Sequence, residues 1–238
     1  MKKFILLSLL CSLTLITSAQ NSPKTESTYK RFNFGVKTGF TSAIFLSTKF
    51  KIGDQKVQQI QNNYKVGFTG SIFMRYNIKS HYIQPEVGYY INRCQVYFDK
   101  NGEQQGSNPE YSTLRSEMHS IDIPLLYGYN FIKEDIYGMS FFIGPKLRYI
   151  LDGQSNMKYI NFNQQGIKED FKRFNYGFTG GIAVYISKIF FDFRYEQMLN
   201  DISKGVTYDK SVTAPQYQQD LKLNRRDHIL SFSLGVMF

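Results

Sequence analysis

Tryptophan is absent from the 238 residues, histidine occurs three times and cysteine twice. Each scarcity closes off a class of chemistry. No pair of His or Cys has the spacing of a zinc site, and Asp99-Lys100-Asn101-Gly102-Glu103 is too short and too basic for a calcium loop, so neither a metal nor another cofactor is expected. Cys11 lies in an apolar leader segment, which leaves Cys94 as the one cysteine of a processed chain and rules out an internal disulfide. Long apolar runs are missing too. Beyond residue 19 nothing approaches the ~20 residues of a membrane helix. Acidic groups are outnumbered, 19 against 29 basic, yet no basic helix or aromatic RNA-binding motif accompanies the excess, so nucleic acid is not an expected partner.

What the chain does have begins at its start. Lys2 and Lys3 precede an apolar run over residues 4–16, and Thr17-Ser18-Ala19 supplies small residues for a signal peptidase. Residues 1–19 therefore read as a signal peptide cleaved before Gln20, and residues 20–31 as a polar periplasmic tail. Lipidation at Cys11 is not expected, because that residue follows Leu10 inside the apolar run. Losing Lys2 and Lys3 lowers the net charge from +10 to 27 − 19 = +8, still basic enough to suit anionic headgroups.

The remainder, 32–238, alternates apolar and polar residues in eight segments, near 32–40, 65–76, 81–93, 118–129, 141–151, 174–186, 189–198 and 228–238. Successive side chains of a strand point to opposite faces, and each segment has about the ~9–11 residues that a tilted strand needs to cross a bilayer. Connections at 77–80, 130–140 and 187–188 are short, whereas 41–64, 95–117, 152–173 and 199–227 are long and polar. The last segment ends with Leu230, Phe232, Leu234, Val236 and Phe238 on one face, as expected of a terminal strand read by a barrel-assembly machinery. Aromatics at 16% with a mean hydropathy of −0.34 fit an apolar outside diluted by a polar inside. The fold class predicted is all-β: an eight-stranded antiparallel up-and-down transmembrane β-barrel with short periplasmic turns and long extracellular loops. That placement is the outer membrane, with its lipid and lipopolysaccharide as surroundings.

Assigning faces places only uncharged rows outside, such as Phe32, Phe34, Val36 and Phe40 or Ile121, Ile123, Leu125 and Tyr127. The opposite faces gather Lys37, Arg75, Glu86, Asp122, Lys146, Arg148, Asp192, Arg194 and Glu196. Eight strands enclose a lumen about wide enough for its own side chains, so these five basic and four acidic groups are expected to pair as a structural network. A proton or solute path, or a charged-ligand site, is the sharper alternative.

Two other readings compete. His119 and His228 near the extracellular rim, with Ser120, Asp122 and Asp227 close in sequence, hold the residue types of a rim hydrolase. No nucleophile, base and orienting group can be named as a set, so no enzyme is predicted. The loops carry Lys49, Lys51, Lys56, Lys204, Lys210, Lys222, Arg225 and Arg226 together with Tyr64, Tyr97, Tyr111, Phe162, Tyr208 and Tyr217. These read as a basic rim facing lipopolysaccharide phosphates, or as a docking surface for another envelope protein.

Several stretches resemble a known family. Ile121-Asp122-Ile123-Pro124-Leu125-Leu126-Tyr127 is similar to the I-x-I-P-L-L motif of the PorT-like outer-membrane β-barrels of Bacteroidota-type bacteria. Gln84-Pro85-Glu86-Val87-Gly88-Tyr89, Phe142-Ile143-Gly144-Pro145 and Asp192-Phe193-Arg194-Tyr195 resemble further elements of it. The resemblance spans about 32–238. Pro85 stands where the family often has Leu, which predicts a bulge or a locally unpaired position. The resemblance implies a barrel without cofactor, and one founding member serves type IX protein secretion and gliding. The role expected is a non-enzymatic envelope barrel acting through loop or turn contacts. A secretion component, a narrow pore or solute-binding barrel and a rim hydrolase are the alternatives.

Overall fold

The computed structural model describes residues 31–52, 55–56, 59–99, 111–134 and 136–238; the leader and nearly all of the tail lie outside them, as does most of the 99–103 segment. The wall consists of β1 (Phe32–Ile52), β4 (Val66–Ile78), β5 (His81–Asp99), β6 (Tyr111–Lys133), β7 (Tyr137–Ile150), β10 (Phe174–Ile186), β11 (Ile189–Met198) and β13 (Leu221–Met237). Each pairs antiparallel with its neighbour in that order, and β13 returns to β1. The ring is thereby closed, and the last residue is held at the seam, where Phe238 N donates to Phe34 O at 2.7 Å. Closure leaves no strand edge unpaired in the wall.

One end carries tight connections. Ile78 pairs His81 and Ile186 pairs Ile189, so Lys79-Ser80 and Ser187-Lys188 are two-residue turns. Lys79 and Ser187 each take a φ of 55°, the left-handed geometry that matches a hairpin turn to the strand twist. The connection expected over 130–140 is shorter than that, because β6 runs on to Lys133 and β7 begins at Tyr137.

At the other end the strands overshoot. β1 has 21 residues and β6 has 23, about twice the ~9–11 that a bilayer crossing needs. Pairing of β1 with β13 continues to Ile52 and Leu221, and that of β5 with β6 to Asp99 and Tyr111. The long connections are thus partly ordered: β2 (Gln55–Lys56) adds to β1, β3 (Gln59–Tyr64) to β5 and β8 (Asn156–Ile160) to β6. β9 (Lys168–Phe171) and β12 (Ser203–Thr207) form a separate two-stranded sheet. The alternation in the sequence stops where lipid-facing apolar residues stop, although hydrogen bonding does not.

Pro85, Pro124 and Pro145 lie in a row across β5, β6 and β7, with Pro85 opposite Leu125 and Pro124 opposite Lys146. Pairing is interrupted beside each, yet the register is the same on both sides, so the departure at Pro85 is a local gap and not a bulge.

Phe34, Ile72, Leu147 and Phe178 on the outer face are each more than half exposed, as part of a continuous apolar belt. Inside, the side chains are layered. Nearest the short turns sit Phe73, Tyr82, Leu126, Phe142, Ala183, Tyr185 and Phe190. Charges follow, then Met118, Ile150, Met198 and Ile202, and finally Cys94, Val96, Phe98 and Leu114. On β6 the order is Leu126, Asp122, Met118, Leu114, whereas on β4 Arg75 lies one inward position nearer the short turn than Phe73. Close strand approach explains Gly144, where a Cβ would lie 1.9 Å from the Leu125 carbonyl oxygen.

Candidate functional site

The nine charged residues assigned to the lumen are all buried, each 5% exposed or less. Eight of them form two quartets. In the first, Lys37 of β1 places its Nζ 2.9 Å from Glu86 and 2.9 Å from Asp192, and Arg194 meets the same two carboxylates at 2.9 and 2.7 Å. In the second, Lys146 contacts Asp122 at 2.5 Å and also Glu196, while Arg148 contacts Asp122 at 2.8 Å and Glu196 at 3.4 Å. Every cation therefore bridges two carboxylates, and every carboxylate two cations. Pairing of this kind offsets the cost of taking charge out of water.

The quartets span the lumen, because β11 supplies Asp192 and Arg194 to one and Glu196 to the other. Alternation along β11 makes this possible, placing all three on one face at successive inward positions.

Of these nine, Arg75 is the cation without a carboxylate partner among the described residues. Its guanidinium lies 4.0 Å from the Tyr82 ring centroid and 4.8 Å from that of Tyr185, and its Nε donates to Gln84 at 2.6 Å. Gln84 in turn donates to Glu86 at 2.6 Å. The imbalance of five bases to four acids is met by aromatic faces. Sequence reading missed Gln84, Tyr82 and Tyr185. The signal for the first two was available, since both share the inward face of β5 with Glu86.

The three histidines are all on the outer wall, each sharing a hydrogen bond with a tyrosine on the next strand. Tyr89 and His119 are 2.6 Å apart, Tyr127 and His81 2.6 Å, and Tyr195 and His228 2.5 Å. In each case the tyrosine faces the residue two positions from the histidine, a diagonal contact across an antiparallel pair. His119 and His228 sit on β6 and β13, four strands apart in a ring of eight, and so on opposite sides. Their proposed union at a rim catalytic site is corrected by that geometry. Ser120 and Asp122 point inward, where Ser120 donates to Asp122 at 2.8 Å. Among the described residues no group of three His, Cys, Asp or Glu is placed to hold a metal ion.

The crown above the belt also differs from expectation. Arg225 is buried, 3.3 Å from Glu169, and Arg226 pairs with Asp201 at 2.9 Å, so neither is a free rim cation. Burial raises the Glu169 carboxyl, against the attraction of Arg225, and Tyr159 donates to it at 3.0 Å. Phe162 and Tyr208 pack onto the crown's own core instead of presenting a docking face; Tyr217 remains exposed. The same core pushes the Cys94 thiol up to about 12 by burial. Lys51, Lys204 and Lys210 are exposed, while the side chains of Lys49, Lys56, Lys222, Tyr64 and Tyr111 lie outside the described ones.

On the terminal strand Phe232, Leu234 and Phe238 face outward and Leu230 and Val236 are half-buried. β13 is held on both edges, by β1 and by β11.

Similarity to known proteins agrees with this architecture. No curated protein matches the sequence. Among solved structures, the outer membrane protein OprG from Pseudomonas aeruginosa is similar with a TM-score of 0.54 at 13% identity, over 87% of this chain and 95% of that one. Ail, the attachment invasion locus protein of Yersinia pestis, aligns with a TM-score of 0.38 at 9% identity, over 87% and 98% of the two chains. Neisserial surface protein A gives 0.37 at 13%, over 87% and 97%. At these identities the likeness to OprG concerns the fold alone. The profile of the outer membrane protein beta-barrel domain matches residues 18–204, well over half of the sequence, and with a closed ring and an apolar belt the chain belongs to that family of outer-membrane barrels.

Proposed function

We propose that the protein is a non-enzymatic, PorT-like barrel of the cell envelope, in which the lumen is a structural strut and specific contacts are made by the outer crown and turns. The observation that carries this reading is the closure of the lumen charges on one another between two apolar layers. A group that served a solute or a reaction would need a coordination position left open to it; the first quartet leaves none, and in the second only Arg148 Nη1 and Glu196 Oε1 lack a hydrogen-bond partner, both on groups already held in ion pairs. Against a rim hydrolase stands the separation of His119 from His228 and the engagement of each with tyrosine. Lipid and lipopolysaccharide surround the belt, and the assembly machinery engages β13 through its terminal Phe238.

A second reading, a component of type IX secretion or gliding machinery, is favoured by the motif resemblance. The residues that carry that resemblance have local duties, however. Asp122, Glu86, Asp192 and Arg194 belong to the quartets, and Tyr89 and Tyr195 to the histidine pairs. Barrel construction accounts for them without any secretion partner. Mild cross-linking of whole cells followed by purification separates the two. Capture of envelope proteins at crown or turn residues supports contact-making, reproducible recovery of secretion or motility components selects the second reading, and a barrel recovered with lipid alone overturns both.

A further inference from the structure

Where β5, β6 and β8 run side by side above the apolar belt, the outer wall carries a basin of about 380 Å3, within the ~300–1,000 Å3 range of small-ligand clefts. Its lining is one-sided in charge: Lys65, Arg93, Arg115 and Lys158 against Glu117. Glu117 is already engaged. Arg93 Nε donates to it at 2.7 Å and His119 Nε2 lies 3.2 Å away, and the Arg93 hydrogen bond holds its carboxyl below the usual carboxylate range. Lys65, Arg115 and Lys158 have no ion-pair partner among the described residues. Arg115 moreover stands directly opposite Lys158 in the strand register. Like charges so placed repel unless an anion lies between them.

The height of the basin identifies the anion. One outward position below Arg93 on β5 is Ile91, and one below Glu117 on β6 is His119, bonded to Tyr89. Arg93 also lies over Phe68 of β4, its guanidinium 5.9 Å from the ring centroid. These rings mark the upper edge of the lipid-facing surface, so the basin opens sideways at the level where headgroups begin. We propose that it binds the phosphorylated headgroup of an outer-leaflet glycolipid, with Arg115 gripping phosphate oxygens through its planar fork and Lys158 and Lys65 adding charge. The inference rests on the outer-membrane placement and is independent of the crown contacts proposed above.

The test uses the full mature protein in detergent micelles, with bound lipid read by native mass spectrometry. Phosphorylated lipid A should be retained, and the same lipid A stripped of phosphate should not. An Arg115→Gln/Lys158→Gln variant should weaken retention at least tenfold, whereas Lys204→Gln/Lys210→Gln, elsewhere on the crown, should leave it unchanged. Equal retention by the basin variant and the wild type, both verified as folded by heat-dependent gel mobility, overturns the proposal. Displacement of lipid A by inorganic phosphate at a concentration where chloride of equal ionic strength leaves it bound would make the basin a soluble-anion site and overturn it equally. Wild-type retention should also weaken as salt is raised, which needs no variant; a salt-independent interaction contradicts a phosphate contact.

Discussion

At mid-height in the lumen, four cations and four carboxylates sit buried within hydrogen-bond reach, each bridging two of opposite sign; on the outer wall above the belt, four cations meet one carboxylate. The lumen could not tolerate the second arrangement. An unpaired charge there would lose its hydration with nothing in exchange, whereas on the wall water screens the excess. Compensation therefore marks charge that builds the barrel, and lack of compensation marks charge turned toward something outside it.

Removing one lumen partner should have the largest effect. Arg194→Met leaves Glu86 and Asp192 with Lys37 alone, and we expect a loss of about 3–5 kcal/mol in urea unfolding of protein folded into vesicles. A loss under about 1 kcal/mol would break the comparison. Asp122→Leu should cost a similar amount, but the Asp122→Leu/Arg148→Met double variant should cost less than the two single changes summed, because no lone charge is stranded. Arg75→Met probes the intermediate case. With ring faces as its main partners, about 1–2 kcal/mol is expected in the same assay.

In the crown the sign reverses with pH. The Glu169 carboxyl is raised in the fold, so its contribution to stability is present below its unfolded value and is lost as pH rises through its folded value. Hydrogen exchange over β9 should quicken with pH in that window beyond the intrinsic rate, and Glu169→Gln should flatten the excess. Smallest of all, Arg115→Gln should alter unfolding by no more than about 0.5 kcal/mol, since it breaks no pair. A larger destabilisation would show that the wall cations are structural after all.

The sequence made the faces of the wall legible because a period of two is unambiguous when, across the belt, one side carries no charge and the other gathers nine. Lys37, Glu86, Asp122 and Arg194 were found by that rule alone. It could not sort them into quartets, because partners such as Lys37 and Asp192 are 155 positions apart and meet only after closure. The crown was illegible for another reason. Above the belt both faces of a strand meet polar surroundings or the protein's own core, so alternation fades even though β1, β5, β6 and β13 continue. Arg225 shows the consequence: with Arg226 it reads as a basic surface pair, yet its side chain is buried beneath the β9–β12 sheet. Likewise the tyrosine and histidine spacing within single strands gives no sign of their diagonal meeting across neighbours.

Single-channel recording in a planar bilayer tests most directly whether the lumen is closed upon itself. Wild-type barrels should insert without discrete conductance steps, and Arg194→Met should admit small, unstable ones as the first quartet loosens. Regular ion-conducting steps from the wild type, altered in size or selectivity by substitutions at Glu86 or Arg148, would contradict the account and make the charge layer a pathway.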